Sequence, residues 1–172
     1  ASQAASQQVA TITVPWLRGA IMDRNGQELA GSEEGASIYA TPYQIKDPQT
    51  ESEAVAKALD ADPNDVLKAI TAPGGFSYVQ RKVDLAHSTK VEELGLEGIG
   101  QHPDTIRTRP QGPLAGQLIG AVSEDGKGLT GLELGEDSTL HGVDGERQLV
   151  NDALGDPISL KTLTDAQEGA PI

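Results

Sequence analysis

The sequence predicts an α+β fold of mixed short strands and helices. Strand-like and helix-like segments follow one another without a steady strand–helix–strand repeat, which disfavours a doubly wound parallel sheet. Turn formers are frequent, with 20 Gly and 10 Pro in 172 residues, so the elements are short. Hydrophobic residues make up 37% of the chain and are mostly aliphatic, with one Phe, one Trp and three Tyr. The expected core is therefore aliphatic and divided among small clusters.

Taken in order, residues 1–8 hold only Ala, Ser and Gln and read as a solvated tail or stalk remnant. Asn25-Gly26 lies between the apolar positions Ile21 and Leu29, the strongest short signal for a β-hairpin, and the pair fits a type I′ turn. Residues 36–41 read as a further strand ended by Pro42. Ala54, Val55, Ala58 and Leu59 recur at helical spacing. Asp62-Pro63 opens a second helix, because Asp caps well and Pro is tolerated at the first helical position. Residues 77–83 read as a strand. Thr89 and Glu92 have capping-box spacing ahead of a short helix to Leu94.

Residues 95–100 read as a turn region and 114–122 as a buried strand. Thr130 and Glu133 form a second capping box, flanked by Leu129 and Leu134 as a hydrophobic staple, with the helix running to Leu140. Residues 146–151 and 157–163 read as two strands joined by a turn at 152–155.

The charge balance narrows the function. Net charge is −13, and residues 121–172 hold eleven Asp or Glu against three Lys or Arg. A nucleic-acid surface needs the opposite sign, as does docking on anionic lipid. With no cysteine there is no disulfide, thiolate metal site or thiol nucleophile. His87, His102 and His141 stand apart, so no metal site and no cofactor are expected. The sequence contains no Gly-x-Ser-x-Gly, no Ser-x-x-Lys and no Lys-Thr-Gly. Carboxylate pairs such as Glu33-Glu34 and Glu92-Glu93 suit a solvated face in a chain with 26 acidic residues. The few aromatics form no cluster along the sequence, which argues against a sugar-binding groove. The reading is of a non-catalytic chain.

Four signatures occur in order: Arg18-Gly19-Ala20-Ile21-Met22-Asp23-Arg24-Asn25-Gly26; Arg107-Thr108-Arg109-Pro110-Gln111-Gly112; Gly128-Leu129-Thr130-Gly131-Leu132-Glu133; and Asp152-Ala153-Leu154-Gly155. Together they resemble the N-terminal dimerisation, or pedestal, domain of class B penicillin-binding proteins. Arg109 stands where that family usually has Tyr, and Leu154 where it often has a basic residue.

The resemblance implies an elongated α+β domain over residues 16–165. It implies a stalk or flexible tail over 1–15 and a linker over 166–172 toward a transpeptidase domain. It implies an extracytoplasmic place in a membrane-anchored parent that builds peptidoglycan in cell division or cell shape. The implied partners are the parent's own transpeptidase domain, a membrane glycan polymerase, other cell-wall proteins and a homodimer mate, with no nucleic acid. A free-standing extracytoplasmic binding or sensor domain is the alternative.

The structural or interaction residues carried over are Arg18, Gly19, Asp23, Arg24, Gly26, Arg107, Pro110, Gly131, Glu133, Asp152 and Gly155. Glu133 has two readings. It caps its helix alone, or it caps and also pairs with Arg18 or Arg24.

Overall fold

A computed structural model describes residues 8–113, 116–151 and 157–172. The chain is α+β and divides into two units: residues 1–32 with 107–172, and residues 33–106. The chain passes from the first unit to the second within one strand and returns within another.

In the first unit, β1 (Gln8–Val14), β6 (Gly145–Asn151) and β7 (Pro157–Thr164) form an antiparallel sheet in the order β1-β6-β7. Gln8–Val14 thus pairs along its length with β6, although the sequence reading places it in the stalk. Residues 166–172, read as a linker, are tied into the same unit by backbone. Val143 and Gln167 exchange hydrogen bonds at 2.8 Å, and the N–H groups of Gly169 and Ala170 donate to the carbonyls of Leu17 and Thr139.

The hairpin β2 (Ile21–Met22) to β3 (Glu28–Ala40) forms, but not through a type I′ turn. Gly26 alone takes positive φ, at 78°, and its N–H donates to the Asp23 carbonyl. The Asp23 carboxylate accepts from the Asn25 and Gln27 N–H groups at 2.7 and 2.9 Å, which holds Asn25 in ordinary φ. A three-residue loop with a left-handed glycine results.

In the second unit, β3 continues as one 13-residue strand that pairs with β4 (Ser77–Asp84). It also pairs with β5 (Ile99–Thr108). The sequence reading gave no strand over 99–108, because Pro103 and the polar residues around it break the usual pattern. Helix α1 (Pro48–Leu59) starts at Asp47, whose side chain accepts from Thr50 N–H, and α2 (Pro63–Ile70) starts at Asp62, which accepts from Asn64 N–H. Helix α3 (Leu85–Glu93) is capped by Asp84, so Thr89 lies mid-helix and its hydroxyl donates to the Leu85 carbonyl. The expected cap at Thr89 fails because Asp84 closes the helix earlier.

Each unit has its own aliphatic core. Ile38, Val55, Leu59, Val66, Ile70, Val83 and Val91 are buried in the second, and Ile21, Ala30, Ile119 and Leu140 in the first. Full burial of one such large side chain is worth about 1.5–3 kcal/mol.

The segment expected as a strand at 114–122 instead carries α4 (Gly116–Ile119), and its first two residues lie outside the described residues. The helix expected to reach Leu140 is broken into α5 (Gly131–Gly135) and α6 (Asp137–Leu140). Leu129 and Leu134 are 51% and 52% exposed and form no staple. The turn at 152–155, with Asp152 and Gly155, lies outside the described residues.

Candidate functional site

Glu133 is charged, acidic and 1% exposed, so its burial needs a physical account. Thr130 begins α5 without a side-chain cap; its hydroxyl oxygen accepts from Ala121 N–H instead. The Glu133 carboxylate does not turn back to the helix start. It takes two guanidinium groups, one on each oxygen. Arg18 Nε donates to Oε2 at 2.6 Å, and Arg107 Nε donates to Oε1 at 2.8 Å.

Arg18 is itself 5% exposed. Its Nη2 donates to the Glu133 backbone carbonyl at 2.7 Å and its Nη1 to the Gly126 carbonyl at 3.0 Å, with Asp137 Oδ1 at 2.7 Å from Nη1. Arg107 Nη1 reaches the Gly19 carbonyl at 2.9 Å, Ser32 Oγ at 3.1 Å and the Arg18 carbonyl at 3.2 Å. Its Nη2 is buried without a hydrogen-bond partner among the described residues. The planar, five-donor guanidinium makes this branching possible, which a lysine point charge would not.

Charge is balanced locally. Two arginines face two carboxylates, Glu133 and Asp137. Burial pulls Arg107 below its usual range, against the upward pull of the Glu133 carboxylate. Burial pushes Asp137 up, but the Gly128 N–H and the Arg18 guanidinium outweigh it and hold Asp137 below the usual carboxylate range. Gly128 N–H donates to Asp137 Oδ1 at 2.8 Å.

Glycine is required where the backbone closes on this cluster. A Cβ on Gly128 would run into the Glu133 carbonyl oxygen, the group that accepts from Arg18. A Cβ on Gly131, whose φ is +61°, would meet Gly120 N at 2.7 Å. Gly19 lies against the Ala170 carbonyl.

The structure therefore brings together Arg18, Gly19, Arg107, Gly131 and Glu133. Asp23 and Gly26 stand apart, in the hairpin loop. Arg24 is exposed and makes no ion pair among the described residues, so the basic partner of Glu133 is Arg18, joined by Arg107. Pro110 opens the turn in which Gly112 N–H donates to the Arg109 carbonyl at 2.9 Å. Arg109 itself donates from Nη2 to the Gly120 carbonyl, and so does packing work where a tyrosine was expected. Sequence reasoning missed Ser32 and Asp137. Asp137 stands four residues after Glu133 but in the next helix, and like charges at that spacing repel, so no local pattern signalled their shared partner.

Both oxygens of Glu133 are occupied by guanidinium groups, and the remaining Arg18 and Arg107 donors go largely to backbone carbonyls. This is the geometry of a structural clamp joining three distant chain segments. A model of the penicillin-binding protein dimerisation domain matches residues 13–172. The chain belongs to that family.

Its relatives agree. It is 34% identical over 166 residues to a probable peptidoglycan D,D-transpeptidase PbpC of Pseudomonas aeruginosa, covering 95% of this chain and 29% of the relative. It is 35% identical to a probable peptidoglycan D,D-transpeptidase PenA of Neisseria meningitidis, covering 86% and 26%. It is 33% identical to the peptidoglycan D,D-transpeptidase FtsI of Escherichia coli, covering 94% and 28%. The chain thus spans under a third of these relatives' length. Among solved structures, penicillin-binding protein 2X of Streptococcus thermophilus shares the fold, with a TM-score of 0.58 at 22% identity over 95% of this chain and 28% of that one.

Proposed function

We propose that this domain is the non-catalytic pedestal of a peptidoglycan D,D-transpeptidase. In this reading it holds a catalytic domain in position on the extracytoplasmic side of the membrane, in a parent anchored by a membrane helix. It also offers a surface to a membrane glycan polymerase and other cell-wall proteins. Among the described residues no helix is long and apolar enough to cross a membrane. The names of the relatives support the enzyme class, and the family supports the place of the domain within it.

The observation that carries the positioning role is the double ion pair on Glu133. A domain that transmits orientation must resist bending where its chain segments meet. Glu133 locks the segment at Arg18 to the segment at Arg107, over sequence separations of 115 and 26 residues. The test uses the full-length parent carrying Glu133→Gln. Covalent labelling by a fluorescent penicillin should persist, while binding to the polymerase partner and cross-linking in cells should fall. Normal cross-linking by a folded variant would remove the positioning role.

A further inference from the structure

Of the three asparagines, only Asn25 precedes a glycine; Asn64 and Asn151 precede aspartates. An asparagine side chain is open to attack at Cγ by the backbone nitrogen of the next residue. A glycine there has no Cβ to block the approach and bends freely to allow it. Asn25 and Gly26 are both exposed, and the space beside Gly26 is open. Water and base therefore reach the pair.

The chemistry needs only water and base. Gly26 N–H gives its proton to base, and the nitrogen bonds to Asn25 Cγ. The Cγ–Nδ2 bond breaks, and ammonia leaves with a proton taken from solvent. A cyclic imide, a succinimide, is left between the two residues. Water then opens either of its carbonyls. One opening gives aspartate. The other gives isoaspartate, whose main chain runs through Cβ and is longer by that carbon.

In the folded turn a single residue opposes each part of this reaction. The Asp23 carbonyl accepts Gly26 N–H at 2.9 Å, so the proton that must leave is already engaged. Asp23 Oδ2 accepts from Asn25 Nδ2 at 3.2 Å and restrains the amide that would be attacked. Oδ1 accepts from Asn25 N–H at 2.7 Å and Gln27 N–H at 2.9 Å, which fixes the backbone on both sides of the peptide. The carboxylate charge also disfavours a second anion on the Gly26 nitrogen. Asp62 treats Asn64 alike, accepting from its N–H at 2.7 Å and its Nδ2 at 3.1 Å. There the aspartate is the cap of α2 and the next residue is Asp65, so no glycine needs restraint.

We propose that Asn25-Gly26 is a latent deamidation site, kept intact by the Asp23 side chain. Conversion to isoaspartate lengthens the chain inside the ring closed by Asp23 N–H on the Gln27 carbonyl and Gly26 N–H on the Asp23 carbonyl. The turn cannot then keep both bonds. Beyond the Ile21–Ala30 pair of this hairpin lie Gly19 and Ser32, both held by Arg107, so the damage reaches the Glu133 clamp. The assignment does not depend on the pedestal role.

The test is incubation of the intact chain in mildly alkaline buffer, with and without urea. Peptide mass mapping and isoaspartate detection follow Asn25 and Asn64 separately. Asn25 should react about tenfold or more slowly in the folded chain than in urea, since one hydrogen bond to a charged group shifts a barrier by that much. Asp23→Ala should recover most of that factor at Asn25 and leave Asn64 unchanged. Asp23→Ser, which keeps a short acceptor without the charge, should fall between. Adding Gly26→Ala to Asp23→Ala should slow the reaction again, because the Cβ hinders the nitrogen. Equal rates at Asn25 in the folded and unfolded chain overturn the proposal. So does an Asp23→Ala chain that reacts no faster. Equal acceleration at Asn25 and Asn64 also overturns it, because the variant then acts by loosening the whole fold.

Discussion

Arg18 grips Glu133 twice: Nε donates to the carboxylate at 2.6 Å, and Nη2 donates to the backbone carbonyl of the same residue at 2.7 Å. The second contact ties the guanidinium to the path of α5 and not only to its side chain. The pair is nearly solvent-free, so its two halves are unequal in what their loss leaves behind.

Removing Glu133 leaves the buried Arg107 guanidinium without a carboxylate and Arg18 with Asp137 alone, whereas removing Arg18 leaves Glu133 still paired with Arg107. Glu133→Ala should therefore destabilise the chain by about 3–5 kcal/mol. Arg18→Met and Arg107→Met should each cost less. Urea denaturation of the three variants checks the order. A Glu133→Ala chain as stable as either arginine variant would show that the carboxylate is not the hub.

Three glycines should respond differently to alanine. Gly128→Ala drives a Cβ into the Glu133 carbonyl, backbone that cannot swing aside, and should cost about 3 kcal/mol or more. Gly26→Ala meets no atom but must hold φ near +78°, a cost of about 1–2 kcal/mol. Gly135 ends α5 at ordinary φ with open space around it, so Gly135→Ala should be neutral or stabilising by up to about 1 kcal/mol. Thermal midpoints of the three variants give the ranking.

In the second unit, Ser37 is fully buried beneath Asp104, to which its hydroxyl donates at 2.5 Å. Lys82 Nζ lies 3.5 Å from the same carboxylate and donates to the Thr105 carbonyl, while its own backbone is held at φ +55°. Burial pushes Asp104 up, but Ser37, the Thr105 N–H and Lys82 outweigh it and hold it below the usual range. Asp104→Ala should cost about 1–3 kcal/mol by stranding the Ser37 hydroxyl. The loss measured by urea unfolding should be present at neutral pH and shrink as acid protonates Asp104 in the unmodified chain.

How much of this was legible depended on how local each cause is. Asp62-Pro63 announces α2 because cap and first-turn proline are adjacent. Asn25-Gly26 announces a hairpin, yet Asp23 decides the turn type by claiming two N–H groups. At Thr130 and Glu133 the local pattern misleads. A cap is worth about 1 kcal/mol, and two buried guanidinium groups outcompete it for the carboxylate. Those groups arrive from positions 18 and 107, which no window of sequence joins. The same distance hides the ring contacts of Tyr39, Phe76, Tyr78 and His102, which come from three strands and a loop. Strand β5 was hidden by Pro103, which the strand tolerates at an exposed position.

His87 gives a pH-dependent contribution whose sign follows from its partners. Its Nδ1 lies 2.7 Å from Asp84, the cap of α3, and its Nε2 lies 3.3 Å from Asp60, the left-handed residue that closes α1. The Asp84 contact, then the Asp60 contact, raise the His87 pKa above its ordinary value, and the His87 backbone N–H and ring lower that of Asp84. A raised folded pKa means the protonated ring is favoured in the folded chain. The His87 contribution is thus fully present below the unfolded value, about 6.5, and is lost as pH rises through the folded value. The Asp84 contribution runs the other way. It is present above the unfolded carboxylate value and lost as pH falls through the lowered folded one. The bridge between α1 and α3 is therefore strongest in mildly acidic solution. Urea midpoints of the unmodified chain and of His87→Gln should differ most near pH 5.5 and converge above pH 8. A gap that widens with rising pH would mean that His87 serves the fold as a neutral ring.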